Sequence, residues 1–202
     1  MEDNNKTFHF FSGKKDGVEL SNFHRSLIKM EDGDKKEDGD KKEGGNVIRE
    51  YHSGEHAFHG MKYIEISKDI VNDEKRRKEL YDYGIKFEVD GVYGCLSGGE
   101  TKKKGGKKGL LLSSTELQIW SKKGGDVQRK ICRYKYEHVE GVRECLEKNK
   151  DSILIHPALR VSIDKMKFCV WEGRGVVEAG KFKILGGNLL GNIWMEIRDS
   201  IR

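Results

Sequence analysis

The thirteen residues from Tyr51 to Tyr63, YHSGEHAFHGMKY, hold three histidines, one glutamate and one lysine. On a helix, where each residue turns about 100° from the last, Glu55, His59 and Lys62 share one face and Ala57, Met61 and Ile64 the opposite one. The second face is apolar and belongs in a core. The first sets a carboxylate, an imidazole and an amine within two turns, at the N-terminal end of the helix. Three uses of that face are chemically open. It can be a solvated Glu/Lys surface with an exposed histidine. It can hold a metal through His52, His56, His59 and Glu55, but the H-E-x-x-H order is missing, so no metal is expected. Or it can be catalytic, with Glu55 as acid or base and Lys62 as nucleophile or electrostatic partner. A lysine beside a carboxylate in a partly desolvated cleft is a competent Schiff-base former.

The elements that must position these residues follow from periodicity. Helices are expected over Glu55 to Ile66, Asp73 to Tyr83, Thr115 to Trp120 (capped by Ser113 or Ser114), Asp126 to Asn149 with a break near Gly141, and Asn188 to Ile201. On the last, Leu190, Ile193, Trp194, Ile197 and Ile201 form an apolar stripe opposite Asn188, Asn192 and Asp199, which puts Trp194 in the core. Strands are expected at Thr7 to Phe11, Ser26 to Met30, Val47 to Tyr51, Ile153 to His156, Phe168 to Trp171 and Lys181 to Leu185. Helices mixed with short strands, without a regular βαβ alternation, make an α+β fold that is mostly helical. It occupies residues 7–202 as one domain, after a polar N-terminus at 1–6.

Two segments read as insertions. Residues 32–45 contain a tandem DGDKKE repeat, Asp32 to Glu37 and Asp38 to Glu43. An Asp-Gly turn between two strands signals a hairpin, so the repeat lengthens a solvated tip. It lacks the ligand order of an EF-hand. Residues 97–109, SGGETKKKGGKKG, are expected to form a loop whose glycines do not fit a P-loop. That loop is either plain surface or a basic flap over phosphates.

Charged residues make up 36% of the chain and hydrophobic ones 35%, so the core comes from a subset of it. No stretch reaches the roughly 18 to 20 apolar residues of a membrane span. Met1 to Lys6 lacks the basic and then apolar run of a secretion signal. A cytoplasmic protein with no membrane partner is expected, and the nucleus is also compatible. Cys95, Cys132, Cys145 and Cys169 stand far apart with no C-x-x-C pair, as reduced thiols do. A formal charge of +5 suits an anionic ligand, whether nucleotide, phosphate or nucleic acid, without the dense basic stripe of a dedicated DNA binder.

Further positions suit such a ligand, each with an ordinary alternative. The Gly186-Gly187 turn before Asn188 offers backbone N–H groups at a helix start, or is a packing turn. Arg160 and Arg174 fit a bidentate phosphate clamp, or surface ion pairs. Trp120 and Trp171 fit stacking on a base or ribose, or the core. Ser21 and Asn22 fit hydrogen bonding to the ligand, or a loop cap.

In order along the chain, these motifs resemble the NADAR (NAD- and ADP-ribose-associated, YbiA-like) superfamily. Phe10-Phe11-Ser12-Gly13 resembles its opening strand and Leu20-Ser21-Asn22-Phe23 its L-S-N-F motif. Tyr51 to Lys62 resembles its aromatic-x-S-x-E-H helix. Lys104-Gly105-Gly106 with Trp120, Arg133-Tyr134-Lys135-Tyr136, His156-Pro157-Ala158-Leu159-Arg160, Trp171-Glu172-Gly173 and Gly186 to Gly191 continue the match over nearly the whole chain. His59 stands where many members have glutamine, and Phe168 where bacterial members have aspartate. The resemblance implies a compact α+β fold that hydrolyses N-glycosidic bonds without a cofactor. Implied substrates are ADP-ribose attached to guanine, free or in nucleic acid, and phosphoribosylated intermediates of riboflavin synthesis. It makes Glu55 the active-site glutamate and Lys62 the amine of a proposed Schiff-base intermediate. Ser21, Asn22, Phe23, His59, Trp120, Arg160, Trp171, Gly187 and Asn188 become substrate-binding residues. A non-catalytic ADP-ribose or nucleotide reader and a nucleic-acid binder using the lysine-rich segment are the alternatives of other classes.

Overall fold

In the computed structural model, residues 6–33, 47–106 and 108–200 are described. In chain order the first elements are β1 (Thr7–His9), β2 (Arg25–Asp32), β3 (Val47–Ser53), α1 (Gly54–Ser67), α2 (Glu74–Ile85) and α3 (Gly98–Gly105). They are followed by α4 (Ser114–His138), α5 (Val142–Lys148), β4 (Ile153–Ile155), β5 (Arg174–Glu178), β6 (Lys181–Leu185) and α6 (Leu189–Asp199). Short 3₁₀ turns lie at Val18–Leu20 and Ile163–Phe168. The strands pair only in twos: β1 with β4 in parallel, and β2 with β3 and β5 with β6 antiparallel. The class is α+β. Among the described residues no helix is long and apolar enough to cross a membrane, and all four cysteines are free thiols.

The chain divides into two compact units, Arg25–Ile131 on one side and Met1–His24 with Cys132–Arg202 on the other. The first is built on α1. Ser53, extended at φ −165°, caps the helix by accepting from the His56 amide, and Ala57, Met61, Tyr63, Ile64 and Ile66 are buried. Gly84 on α2 permits close packing, since a Cβ there would stand 2.8 Å from the Gly60 carbonyl oxygen. The hairpin places Ile28 opposite Tyr51, and both are buried. Its far end is fastened by Asp32, whose carboxylate takes Arg49 Nε at 2.7 Å and lies against the Lys68 ammonium. From Asp34 to Glu43 the DGDKKE repeat lies outside the described residues.

In the second unit, Phe10, Leu20, Cys132, Val142, Leu146, Leu154, Leu190, Ile193, Trp194 and Ile197 form one apolar cluster. Trp194 is in that core as its helical stripe requires, and its Nε1 donates to the Leu20 carbonyl at 3.0 Å.

Three expectations need correction. Residues 97–109 are not a loop throughout: Gly98–Gly105 is a helix, started by a reciprocal capping box between Ser97 and Glu100. The expected helices at Thr115 to Trp120 and from Asp126 onward are one continuous α4, begun by a Ser113–Glu116 exchange of hydrogen bonds and ended before Gly141 at φ +79°. Gly124 lies inside it, and a Cβ there would stand 3.0 Å from the Trp120 ring one turn earlier. Phe168 to Trp171 is not a strand. Phe168 ends a 3₁₀ turn, and the partner of β6 is instead Arg174–Glu178.

Candidate functional site

Helix α1 is buried on both faces, not only on its apolar one. Glu55 is 7% exposed, and His59 and Lys62 are each 8% exposed, which rules out the solvated-surface reading. The i, i+4 spacing brings His59 Nε2 to within 3.1 Å of Glu55 Oε1, where it donates to the carboxylate. Among the described residues, the buried His59 Nδ1 has no hydrogen-bond partner. One turn on, the Lys62 amine donates to the Gly105 carbonyl and stands 4.5 Å from the centre of the Tyr63 ring. Burial pulls its pKa down to about 8, although the nearby Glu55 charge works the other way. Roughly a tenth of this amine is therefore unprotonated at pH 7. An amine in that state is a nucleophile as well as a proton carrier.

Helix α3 covers this row. Thr101 and Gly105, one turn apart, are its two buried positions, while Lys102, Lys103 and Lys104 face solvent. A Cβ at Gly105 would lie 2.0 Å from His59 Cγ, so only glycine lets the backbone lie on the imidazole and reach Lys62. Aromatic rings complete the surroundings. Phe87 lies 6.2 Å from both His59 and Tyr63 between ring centres, and Tyr83 packs edge-on against Tyr63 at 4.7 Å. Trp120 on α4 packs edge-on against Phe58 at 5.0 Å, and Phe58 against His59 at 5.5 Å. Glu55, His59, Lys62 and Trp120 thus form one connected group within Arg25–Ile131.

The other expected residues lie in the second unit, and most have structural work there. Ser21 is buried; its Oγ accepts from the Phe23 amide at 3.2 Å, which is the loop-cap role, while Asn22 and Phe23 are half-buried. The Ser21 carbonyl accepts from Lys135, a wholly buried lysine whose pKa burial lowers to about 8. Trp171 packs against the core cluster. Arg174 is committed to the carbonyls of Ala158 at 3.0 Å and Val161 at 2.8 Å, and Arg160 is exposed.

The helix-start anion site is not available. The amides of Gly187, Asn188, Leu189 and Leu190 donate to the carbonyls of Cys169, Glu172, Val170 and Trp171. Asn188, at φ +46°, is a buried strut: its Oδ1 accepts from the His156 amide and its Nδ2 donates to the Leu154 carbonyl.

Sequence reasoning weighed His56 only as a metal ligand and Gly105 only as part of a motif, and passed over Thr101. The Ser53-x-x-His56 spacing was a visible signal for the first, and the S-x-x-E box at Ser97 for the helix that carries the other two. Comparison with models of known protein families, with curated proteins and with solved structures finds no match to this chain.

Proposed function

We propose that this chain is a NADAR-type N-glycosidase, which hydrolyses the N-glycosidic bond of a phosphorylated riboside and prefers ADP-ribosyl guanine. The observation that carries the reading is the buried row Glu55, His59 and Lys62 on α1, with an amine of pKa about 8 one turn beyond a carboxylate–imidazole pair. Cleaving a C1′–N bond develops positive charge at C1′, and a carboxylate such as Glu55 stabilises it or activates the water that follows. The unprotonated Lys62 amine adds to C1′ as the base leaves with the bond's electron pair and a proton. The sugar ring opens to an imine, and water then releases the free sugar and restores the amine. Trp120, joined to this row through Phe58, supplies an aromatic surface for the base. On the same reading the protein works in the cytoplasm, where its free thiols stay reduced.

The test is incubation with guanine-linked ADP-ribose, as the nucleoside and in a short DNA strand, beside Glu55→Ala. Release of ADP-ribose by the wild type alone is expected, together with borohydride trapping that disappears in Lys62→Ala. Binding of ADP-ribose without release would replace the enzyme by a reader. Turnover of small phosphoribosides alone would move the substrate to riboflavin-type intermediates.

A further inference from the structure

His56 stands between Glu55 and His59 in sequence but outside their row, and both of its ring nitrogens are occupied. Nδ1 lies 2.7 Å from Ser53 Oγ, and Nε2 lies 3.0 Å from Thr101 Oγ1 on α3. Thr101 Oγ1 donates to the Ser97 carbonyl at 2.9 Å. A hydroxyl has one proton, so toward the ring Thr101 accepts, and the hydrogen is on Nε2. Nδ1 then accepts a hydrogen bond from the Ser53 hydroxyl, while Ser53 Oγ accepts from the His56 amide at 3.3 Å. The whole chain is satisfied with a neutral ring. Burial favours that state and, with the Arg25 charge, pulls the imidazole pKa down to about 4; His52 acts in the same direction, against the Tyr93 backbone and Glu55.

The buried face of α3 consists of Thr101 and Gly105. One is held by His56 and the other accepts from Lys62. Thr101 itself is fully buried, so its bond to the ring does not compete with water. We propose that His56 is a positioning residue: through Ser53 and Thr101 it seats α3 on α1, holding the Gly105 carbonyl on the Lys62 amine and keeping water from it. Its consequence for catalysis rests on the glycosidase reading; the seating of the helix does not.

The test is made without substrate, so its failure is separate from failure of that reading. In protein labelled with ¹³C-lysine, the Lys62 side-chain signal is assigned by its absence in Lys62→Met and titrated by NMR. The wild-type midpoint is expected near about 8. Thr101→Val replaces the hydroxyl by a methyl of the same size and should move the midpoint toward the ordinary 10.5. Thr101→Ser keeps the hydroxyl and should leave the midpoint in place. His56→Asn, whose amide reaches Ser53 but not Thr101, should repeat the upward shift and stands in if Thr101→Val does not fold. The Lys135 signal, also with a midpoint near about 8, should hold still in every variant and reports an intact fold. An unmoved Lys62 midpoint in Thr101→Val or His56→Asn would overturn the proposal, as would equal shifts in Thr101→Val and Thr101→Ser.

Discussion

Lys62 pays an energetic penalty for its position. Its pKa falls from 10.5 in the unfolded chain to about 8 in the fold, with burial the dominant cause. Between those values the unfolded chain holds a proton that the folded one has shed, so stability rises with pH across that window. Below it the charged amine is buried and destabilises the fold. Lys62→Met should therefore melt no lower than the wild type at neutral pH, while turnover falls roughly a thousandfold or more. Thermal melts at pH 7, set beside the release assay, check both halves; a large loss of stability would make Lys62 a structural residue instead. His56 gives a slope of the same sign in a lower window, on the acid side. Its folded pKa is about 4 against an ordinary 6.5, with burial the main cause. As pH drops through that interval the unfolded chain takes up the proton first, and stability is lost progressively. His9 and His24 are shifted the same way by burial, so the informative quantity is the difference between wild type and His56→Asn. Melting temperature should fall less steeply between pH 6.5 and 4 in the variant. Parallel curves would mean that His56 is not held neutral.

At the scale of elements, α3 shows what composition conceals. Glycine and lysine suggest a loop, because glycine is a poor helix former and lysine favours solvent. The capping box at Ser97 and Glu100 outweighs that tendency, and two of the residues inside, Thr101 and Gly105, are chosen by what they touch. Helix α1, in contrast, was legible in the sequence to within a residue, because its apolar face and its charged row agree on one period. What could not be read was that α3 would bury the charged row, since helix–helix packing leaves no local pattern. Gly105→Ala tests the packing directly. Its Cβ would stand 2.0 Å from His59 Cγ, so the helix must lift, and release of ADP-ribose should drop at least about tenfold while the total helix content by circular dichroism stays close to wild type. Full activity would mean that α3 has no part in the site. The hairpin carries a second hidden element. Asp32 belongs by sequence to the polar repeat, yet its side chain is fully buried between Arg49 and Lys68. Burial pushes its carboxyl up, but the Lys68 and Arg49 bonds outweigh this and hold it below its ordinary value. Asp32→Ala leaves Arg49 with Glu88 and Tyr81 but removes the acceptor of its Nε, and should lower unfolding free energy by about 1–3 kcal/mol, measurable by urea denaturation. A loss under about 1 kcal/mol would place the pair in the weak class of solvent-exposed ion pairs.

On the scale of the whole chain, the division into units had no signature that the sequence could offer. One unit is drawn from both ends of the chain, and its border at Ile131 and Cys132 falls inside α4, with no proline-rich or serine-rich linker to mark it. The stripe of α6 announced a core, but not that Phe10, Leu20 and Leu154 would be its partners in one cluster. Residues gathered by motif order can therefore do different work: Asn188 and Ser21 hold this cluster's surroundings together, while Glu55 and Lys62 line a buried row in the other unit. Separate cores should give separate stabilities. Ile193 is fully buried in the α6 cluster, and Ile193→Ala should cost about 2–5 kcal/mol there. In native-state hydrogen exchange, amides of β1, β4 and α6 should speed up accordingly, while those of α1 keep their wild-type rates. The α1 amides are the sensitive part of that experiment, because they lie beneath the charged row and share no residue with the altered cluster. If they accelerate together with α6, the two units open as one, and a substitution in either core will be felt at Lys62.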